Sequence, residues 1–287
     1  MKKNHHFVPQ TYLNGFSCNR GDERKPFIWR YSMDEFILPT APIPIESVAY
    51  SKLLYEVTDA KGDIVAENAL ENALGGFENL FSQYRRKIES RIKMCNPSSE
   101  FLMLKERVFW MIYVILQLYR TPDMLSMIEQ FTLKYDESIT ENQAHNIARM
   151  FALPLLKENP LDSEEGRLFR ANVEMIQDKA VSVGYCNKGT LITSDDPVIV
   201  FAKTTTRKMD EVWFPLTAQI FLRIHEKDNP EMNGTLYLLD ENKVERINQE
   251  TILHARRELY ASRRLTKREK DIVKEELFQR KTQGEST

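Results

Sequence analysis

Three stretches, far apart in the sequence, carry side chains that could do chemistry. The first is HHFVPQTYLNGF (5–16), where His5 and His6 are adjacent. A neutral imidazole can ligate a metal or take a proton near neutral pH. Adjacent residues on extended chain point to opposite sides, so one ring can face a site while the other orients or packs. The second is QLYRTPD (117–123), where Gln117 and Arg120 are three apart and share a helix face. A guanidinium there can clamp a phosphate or carboxylate, or simply cap the helix C-terminus. The third is TLITSDDPVIVF (190–201), in which Ser194, Asp195 and Asp196 interrupt two apolar runs. Adjacent carboxylates raise each other's pKa when buried, a cost offset by a metal, a cation or an exposed turn. Glu67 and Glu71, four apart, are further candidate metal ligands or a solvated helix face.

The surrounding composition narrows the chemistry. A chain of 287 residues with 42% hydrophobic content can build a real core, and its net charge of −2 supplies no global field for nucleic acid or an anionic membrane. Three cysteines far apart and without a CxxC pair argue against a zinc ribbon or disulfide framework and fit a reducing cytoplasm. The start MKKNHHF lacks the apolar run of an ordinary signal peptide. The most apolar run, 108–119, is about half of the ~20 residues that a membrane span needs, so no membrane partner is expected. Walker, GxGxxG, GxSxG and HExxH motifs are absent. An HNH-type nuclease fails on spacing, because the next histidine after His6 is His145.

The elements that must position these residues follow from periodicity. A short helical anchor is expected at 8–16, with Pro9 at its start and Gly15 at its end. A half-buried strand is expected at 26–33 and an extended, proline-rich crossing at 36–50. A strand and a turn at Lys61-Gly62-Asp63 should follow. Helices are expected from Glu67, from a serine cap in NPSSE (96–100) to Arg120, from Pro122, at 141–157 and at 164–179. After Lys179 come β-branched and aromatic strands, with a hairpin turn at Asn187-Lys188-Gly189. A last helix, 243–262, leads into a basic, mobile tail at about 263–287, within a window (256–281) holding ten Lys/Arg against five Asp/Glu. The expected fold class is α+β: one domain spanning 1–287, a central helical block packed on a mixed or antiparallel sheet built from N-terminal and C-terminal strands.

With all three motifs in hand, the chain resembles a bacterial family catalogued as domain of unknown function 4238. Its members open with HHxxPxxYLxxF, carry Arg-Thr-Pro after a central helix, and have Thr-Ser-Asp-x-Pro-Val in the C-terminal half. Those motifs fall on His5, His6, Pro9, Tyr12, Leu13 and Phe16, then Arg120, Thr121 and Pro122, then Thr193, Ser194, Asp195, Pro197 and Val198. Position 196 is more often Asn in the family pattern, which makes Asp195 the stronger of the two carboxylates. The resemblance brings no established activity, but it implies that the three stretches share a site.

The leading expectation is a metal-dependent phosphodiesterase or nuclease-like hydrolase in a defence or toxin setting. His6, Asp195 and Asp196 would hold a divalent ion that lowers the pKa of bound water, with Glu67 or Glu71 as a further ligand. His5 would act as base or orient its neighbour, and Arg120 would stabilise charge developing on phosphate, with Gln117 and Ser194 at the substrate. The partner would then be nucleic acid or a phosphorylated small molecule. The rival expectation is a non-catalytic binding or scaffold module in which the same residues form a polar network pinning the N-terminal segment to the sheet.

Overall fold

The computed structural model describes residues 3–18, 25–35, 37–65, 67–94, 101–150, 174, 176, 178–202, 209–227 and 233–284. The chain begins with strand β1 (Asn4–His6), the short helix α1 (Gln10–Leu13) and a 3-10 turn (Asn14–Phe16). Strands β2 (Phe27–Ser32), β3 (Ile43–Pro44) and β4 (Tyr50–Lys52) follow. The helical block is α2 (Ala69–Lys93), α3 (Leu104–Tyr119), α4 (Pro122–Tyr135) and α5 (Glu141–Arg149). Then come β5 (Ala180–Tyr185), β6 (Thr193–Ser194), β7 (Ile199–Ala202), β8 (Met209–Pro215), β9 (Ile220–His225) and β10 (Leu236–Leu238). Helix α6 (Glu241–His254), strand β11 (Glu258–Ala261) and helix α7 (Lys267–Gly284) complete it.

The fold is α+β, as the alternation of patterns implies. A five-stranded sheet has the order β10-β5-β9-β8-β7, in which β10 runs parallel to β5 and the other pairs are antiparallel. A four-stranded sheet, β3-β2-β11-β6, joins N-terminal strands to C-terminal ones, and β1 pairs with β4 alone. Helix α3 is apolar nearly all round because it runs through the main core, where Trp110, Tyr113 and Ile115 are buried. Aromatic contacts tie this block to the sheet: Phe81 stacks on Tyr113 at 4.7 Å, and Tyr12 stacks on Phe214 at 5.0 Å.

Tyr12 also links two of the motifs. Its hydroxyl donates to the Pro215 carbonyl at 2.6 Å, which leaves the Thr193 hydroxyl, 2.7 Å away, to donate to it. Tyr12→Phe should lower the unfolding free energy by about 1–3 kcal/mol, because it strands buried partners, and urea unfolding would measure this. Gly15 makes the neighbouring approach possible. A Cβ there would stand 3.1 Å from the Leu216 carbonyl oxygen and 3.1 Å from Thr217 Cγ2. Its role is close packing against the turn between β8 and β9, where Ala218 N–H donates to the Gly15 carbonyl.

Several local expectations change in the folded chain. The apolar run TLITSDDPVIVF is split between two sheets: β6 belongs to the four-stranded sheet and β7 to the five-stranded one. Asp195, Asp196 and Pro197 form the corner between them, where a proline's missing donor is harmless. Asn187-Lys188-Gly189 therefore joins no hairpin, since β5 pairs with β9 and β10. The helix expected at 243–262 ends at His254, and Glu258–Ala261 is a strand between β2 and β6. Leu259, Tyr260 and Ala261 are buried, so the strand shows no alternation to betray it. Beyond β4 the segment 53–65 is turns and irregular chain, with one isolated bridge between Thr58 and Ile64.

The basic segment after 263, expected as a mobile tail, forms α7, whose Val273 and Leu277 are buried with Tyr31, Met33 and Ile252 in a second core. Its apolar residues at three- and four-residue steps, together with Glu269 buried against Arg263, account for the difference. The serine caps in NPSSE, the helix expected at 164–179 beyond its last residues, and the end of that expected at 141–157 fall outside the described residues. Helix α3 is capped instead by Glu106, which accepts from Met103 N–H and pairs with Arg91.

Candidate functional site

The backbone of the His-His segment is held on every side. Phe7 and Val8 donate to the Ala49 carbonyl at 3.0 and 3.5 Å, and Leu53 N–H donates to the Lys3 carbonyl. From helix α3, Gln117 Nε2 donates to the Phe7 carbonyl at 2.9 Å and an Arg120 nitrogen donates to the His6 carbonyl at 2.7 Å. The helix face shared by Gln117 and Arg120, legible from their spacing, thus grips two successive carbonyls. Ala49, Leu53 and Asn68 adopt left-handed backbone, with φ of 53°, 53° and 57°. All three touch this segment, and such conformations persist only where surroundings over-determine them.

His5 is completely buried at 0% exposure. Its Nδ1 accepts from Tyr55 N–H at 3.1 Å, which places the ring proton on Nε2. That nitrogen lies 3.5 Å from Glu56 Oε1 and 3.4 Å from Asn68 Oδ1. Glu56 in turn accepts from Asn68 N–H at the start of α2. The His5 ring stacks on Tyr55 at 5.6 Å, and burial pushes the Tyr55 phenol up to about 12. His6 contacts Gln10 Nε2 through its own Nε2 at 2.9 Å and packs on Tyr50.

Arg120 is 2% exposed and central to this network. Beyond the His6 carbonyl it reaches Glu78 at 3.0 Å and the Tyr55 hydroxyl at 3.3 Å, and that hydroxyl donates back to the Arg120 carbonyl at 2.9 Å. Thr121 and Pro122 then open α4 as the sequence indicates, with proline in its first turn. Glu71 is buried, but Glu67 precedes α2 and is exposed, so the two do not form the helix-face pair expected of them.

At the sheet corner the Asp195 carboxylate accepts from two successive amides, Arg256 N–H at 3.0 Å and Arg257 N–H at 2.9 Å. This is what stops α6 and turns the chain into β11. Ser194 Oγ closes a tight turn, donating to the Asp196 carbonyl and accepting from Asp196 N–H. Asp196 is 17% exposed and pairs with Arg256 at 3.4 Å, while its Oδ1 has no hydrogen-bond partner among the described residues. Burial raises both carboxyls to about 6: the backbone hydrogen bonds at Asp195 and the Arg256 guanidinium at Asp196 offset it only in part.

The structure therefore divides the sequence-derived site. His5, His6, Gln117 and Arg120 share one buried network behind the N-terminal segment. Asp195, Asp196 and Ser194 belong to the sheet corner, with different partners. Among the described residues no three His, Cys, Asp or Glu side chains are grouped to hold a metal ion. The proposed ligand set of His6, Asp195 and Asp196, with Glu67 or Glu71, is not assembled.

One feature does unite the three motifs: an open polar groove of about 420 Å³, with Phe7, Pro122 and Asp195 each contributing to its lining. Arg30, Tyr50, Arg257 and Glu258 line it too. Arg257 pairs across the rim with Asp123 of the RTPD stretch at 3.1 Å, and Arg30 pairs with Glu258. The sequence by itself did not single out Arg30 or Tyr50, and it offered Arg257 only as part of a basic stretch that could contact phosphates. No helix among the described residues is long and apolar enough to cross a membrane.

A family model described as "Protein of unknown function (DUF4238)" matches residues 4–264, which takes in all three motifs and stops just before α7. No curated protein and no solved structure matches the chain. The match covers most of the chain's length, and the chain belongs to the DUF4238 family.

Proposed function

We propose that the protein is a binding module whose ligand occupies the groove between β4, β11 and the start of α4, framed by the His/Arg/Asp motifs. The observation that carries this reading is the hydrogen-bonding of the motif residues. The His5 imidazole, the Arg120 guanidinium and the Asp195 carboxylate each hold backbone groups: the Tyr55 amide, the His6 carbonyl next to Phe7 of the lining, and the amides of Arg256 and Arg257. Buried side chains that hold backbone in this way fix the shape of a site. Among the described residues Cys18 and the buried Cys186 are free thiols, which goes with a reducing compartment, and we place the module in the cytoplasm.

The test separates frame from rim. Asp195→Ala should destabilise the fold by about 1–3 kcal/mol by stranding two amides. Ser51→Ala, at the groove, should leave the melting temperature unchanged. In amide-resolved NMR titrations of the wild type with a small-molecule set, shifts should concentrate at residues 47–51 and 256–258. Binding that maps elsewhere, or an Asp195→Ala protein as stable as the wild type, overturns the reading.

Phosphodiester hydrolysis is the second reading, favoured by one observation: Asp195, raised by burial to about 6, faces the groove beside two guanidiniums. A carboxyl so poised can exchange a proton near neutral pH. Hydrolysis of a chromogenic phosphodiester with and without added divalent ions, lost in Asp195→Ala and retained in Lys134→Ala, an exposed position on α4 outside the groove, would support it. Equal rates in wild type and Asp195→Ala would remove it.

A further inference from the structure

We infer that the groove accepts an oxyanion on a small molecule with a flat apolar body, of the nucleoside monophosphate class. This rests on the binding reading above and specifies the chemistry of that site. Spare hydrogen-bonding capacity decides it. Of the groove's carboxylates, Asp195 already accepts from two backbone amides. Glu258 is held by Arg30 on one oxygen and by the Tyr260 hydroxyl on the other.

The donors are less committed. A guanidinium carries five N–H groups in a fork. Arg257 gives one nitrogen to Asp123, and its side chain is 63% exposed. Arg30 gives one to Glu258 and is 44% exposed. Each arginine is thus oriented by a carboxylate while the rest of its fork remains for a ligand, the geometry that suits planar recognition of phosphate. Ser32 Oγ accepts from the amides of Asp34 and Glu35, which leaves its own hydroxyl proton to donate. Asp34 opposes an anion from the same lining, but it is exposed and water-screened.

The remaining lining fixes the body of the ligand. Phe7, Tyr50 and Pro122 supply apolar faces beside the arginines, and aromatic faces stack on flat rings. The volume of about 420 Å³ falls in the ~300–1,000 Å³ range of small-molecule sites. The formal net charge of −2 gives no field to draw in a polyanion, which favours a single phosphorylated molecule over nucleic acid.

The experiment titrates the full chain, followed by amide NMR and calorimetry, with adenosine monophosphate, adenosine, inorganic phosphate and the cation agmatine. Adenosine monophosphate should shift groove amides and bind about tenfold or more tightly than adenosine. Arg257→Gln should weaken it by a similar factor with no change in melting temperature, since that side chain is at the surface. If groove amides respond to agmatine or adenosine but to neither phosphate-bearing probe, the anion assignment falls while the binding module stands. If no probe moves them, both fall.

Discussion

Arg120→Ala lowers the unfolding free energy by about 3 kcal/mol, measured by urea unfolding, with a fall in melting temperature on the order of 10 °C. The magnitude follows from what the truncation leaves behind. Glu78 is partly open to solvent and can rehydrate, so its charge is not the main term. The His6 carbonyl and the Tyr55 hydroxyl lie in the interior and each lose a charge-assisted donor. Removing one partner of a buried pair costs about 3–5 kcal/mol in general, and the exposure of Glu78 puts this case at the lower end. Arg120→Lys should recover only part of the loss, because an ammonium cannot span three acceptors with a fixed fork. A variant within about 0.5 kcal/mol of wild type, the range of ordinary surface substitutions, would show that Arg120 does not hold the N-terminal segment.

Asp196→Asn makes the protein more stable at pH 7, by about 1–3 kcal/mol. Both corner carboxyls have folded-state values of about 6, raised by burial above those of the unfolded chain. Between about pH 4 and pH 6 the folded state therefore binds more protons than the unfolded state. The sign of the linkage is negative there, so stability falls as pH rises through this window. Glu106, Glu211 and Glu269 act in the opposite sense. Burial opposes their charge, but their arginine partners hold them below the ordinary glutamate value, so their contribution is lost as pH falls below about 4.5.

Asparagine at 196 removes one of two adjacent buried charges and the repulsion that helps raise Asp195, so the decline between pH 4 and 6 becomes shallower. It also replaces a carboxylate whose Oδ1 has no partner among the described residues. Chemical unfolding across pH 4–8 checks both parts. An unchanged pH slope in the variant, or a loss of stability at pH 7, would contradict this account of the corner.

Local order was legible wherever apolar spacing and end signals agree. Helix α3 announces itself by an unbroken apolar run, and α4 by Thr121 and Pro122 at its start. The proline in TSDDPV marked a break in the strand, though not that its halves enter different sheets. Strand β11 was hidden for a different reason. Glu258–Ala261 continues a helical pattern in sequence, and it becomes a strand because Asp195 captures the amides of Arg256 and Arg257 before it.

The candidate site was legible as residue types, not as an arrangement. By itself, the sequence determined the α+β class, the succession of most described elements and the identity of three polar motifs, because burial periodicity and capping are local properties of the chain. Tertiary structure decided what those motifs do. Gln117 finds its partner at Phe7, Tyr12 at Thr193 and Asp195 at Arg256, separations of 61 to 181 residues. A hydrogen bond depends on the position of its partner, and only the packing of α3 and the two sheets brings those partners together. The same packing turned the histidines inward and left the groove to Arg30, Tyr50 and Arg257.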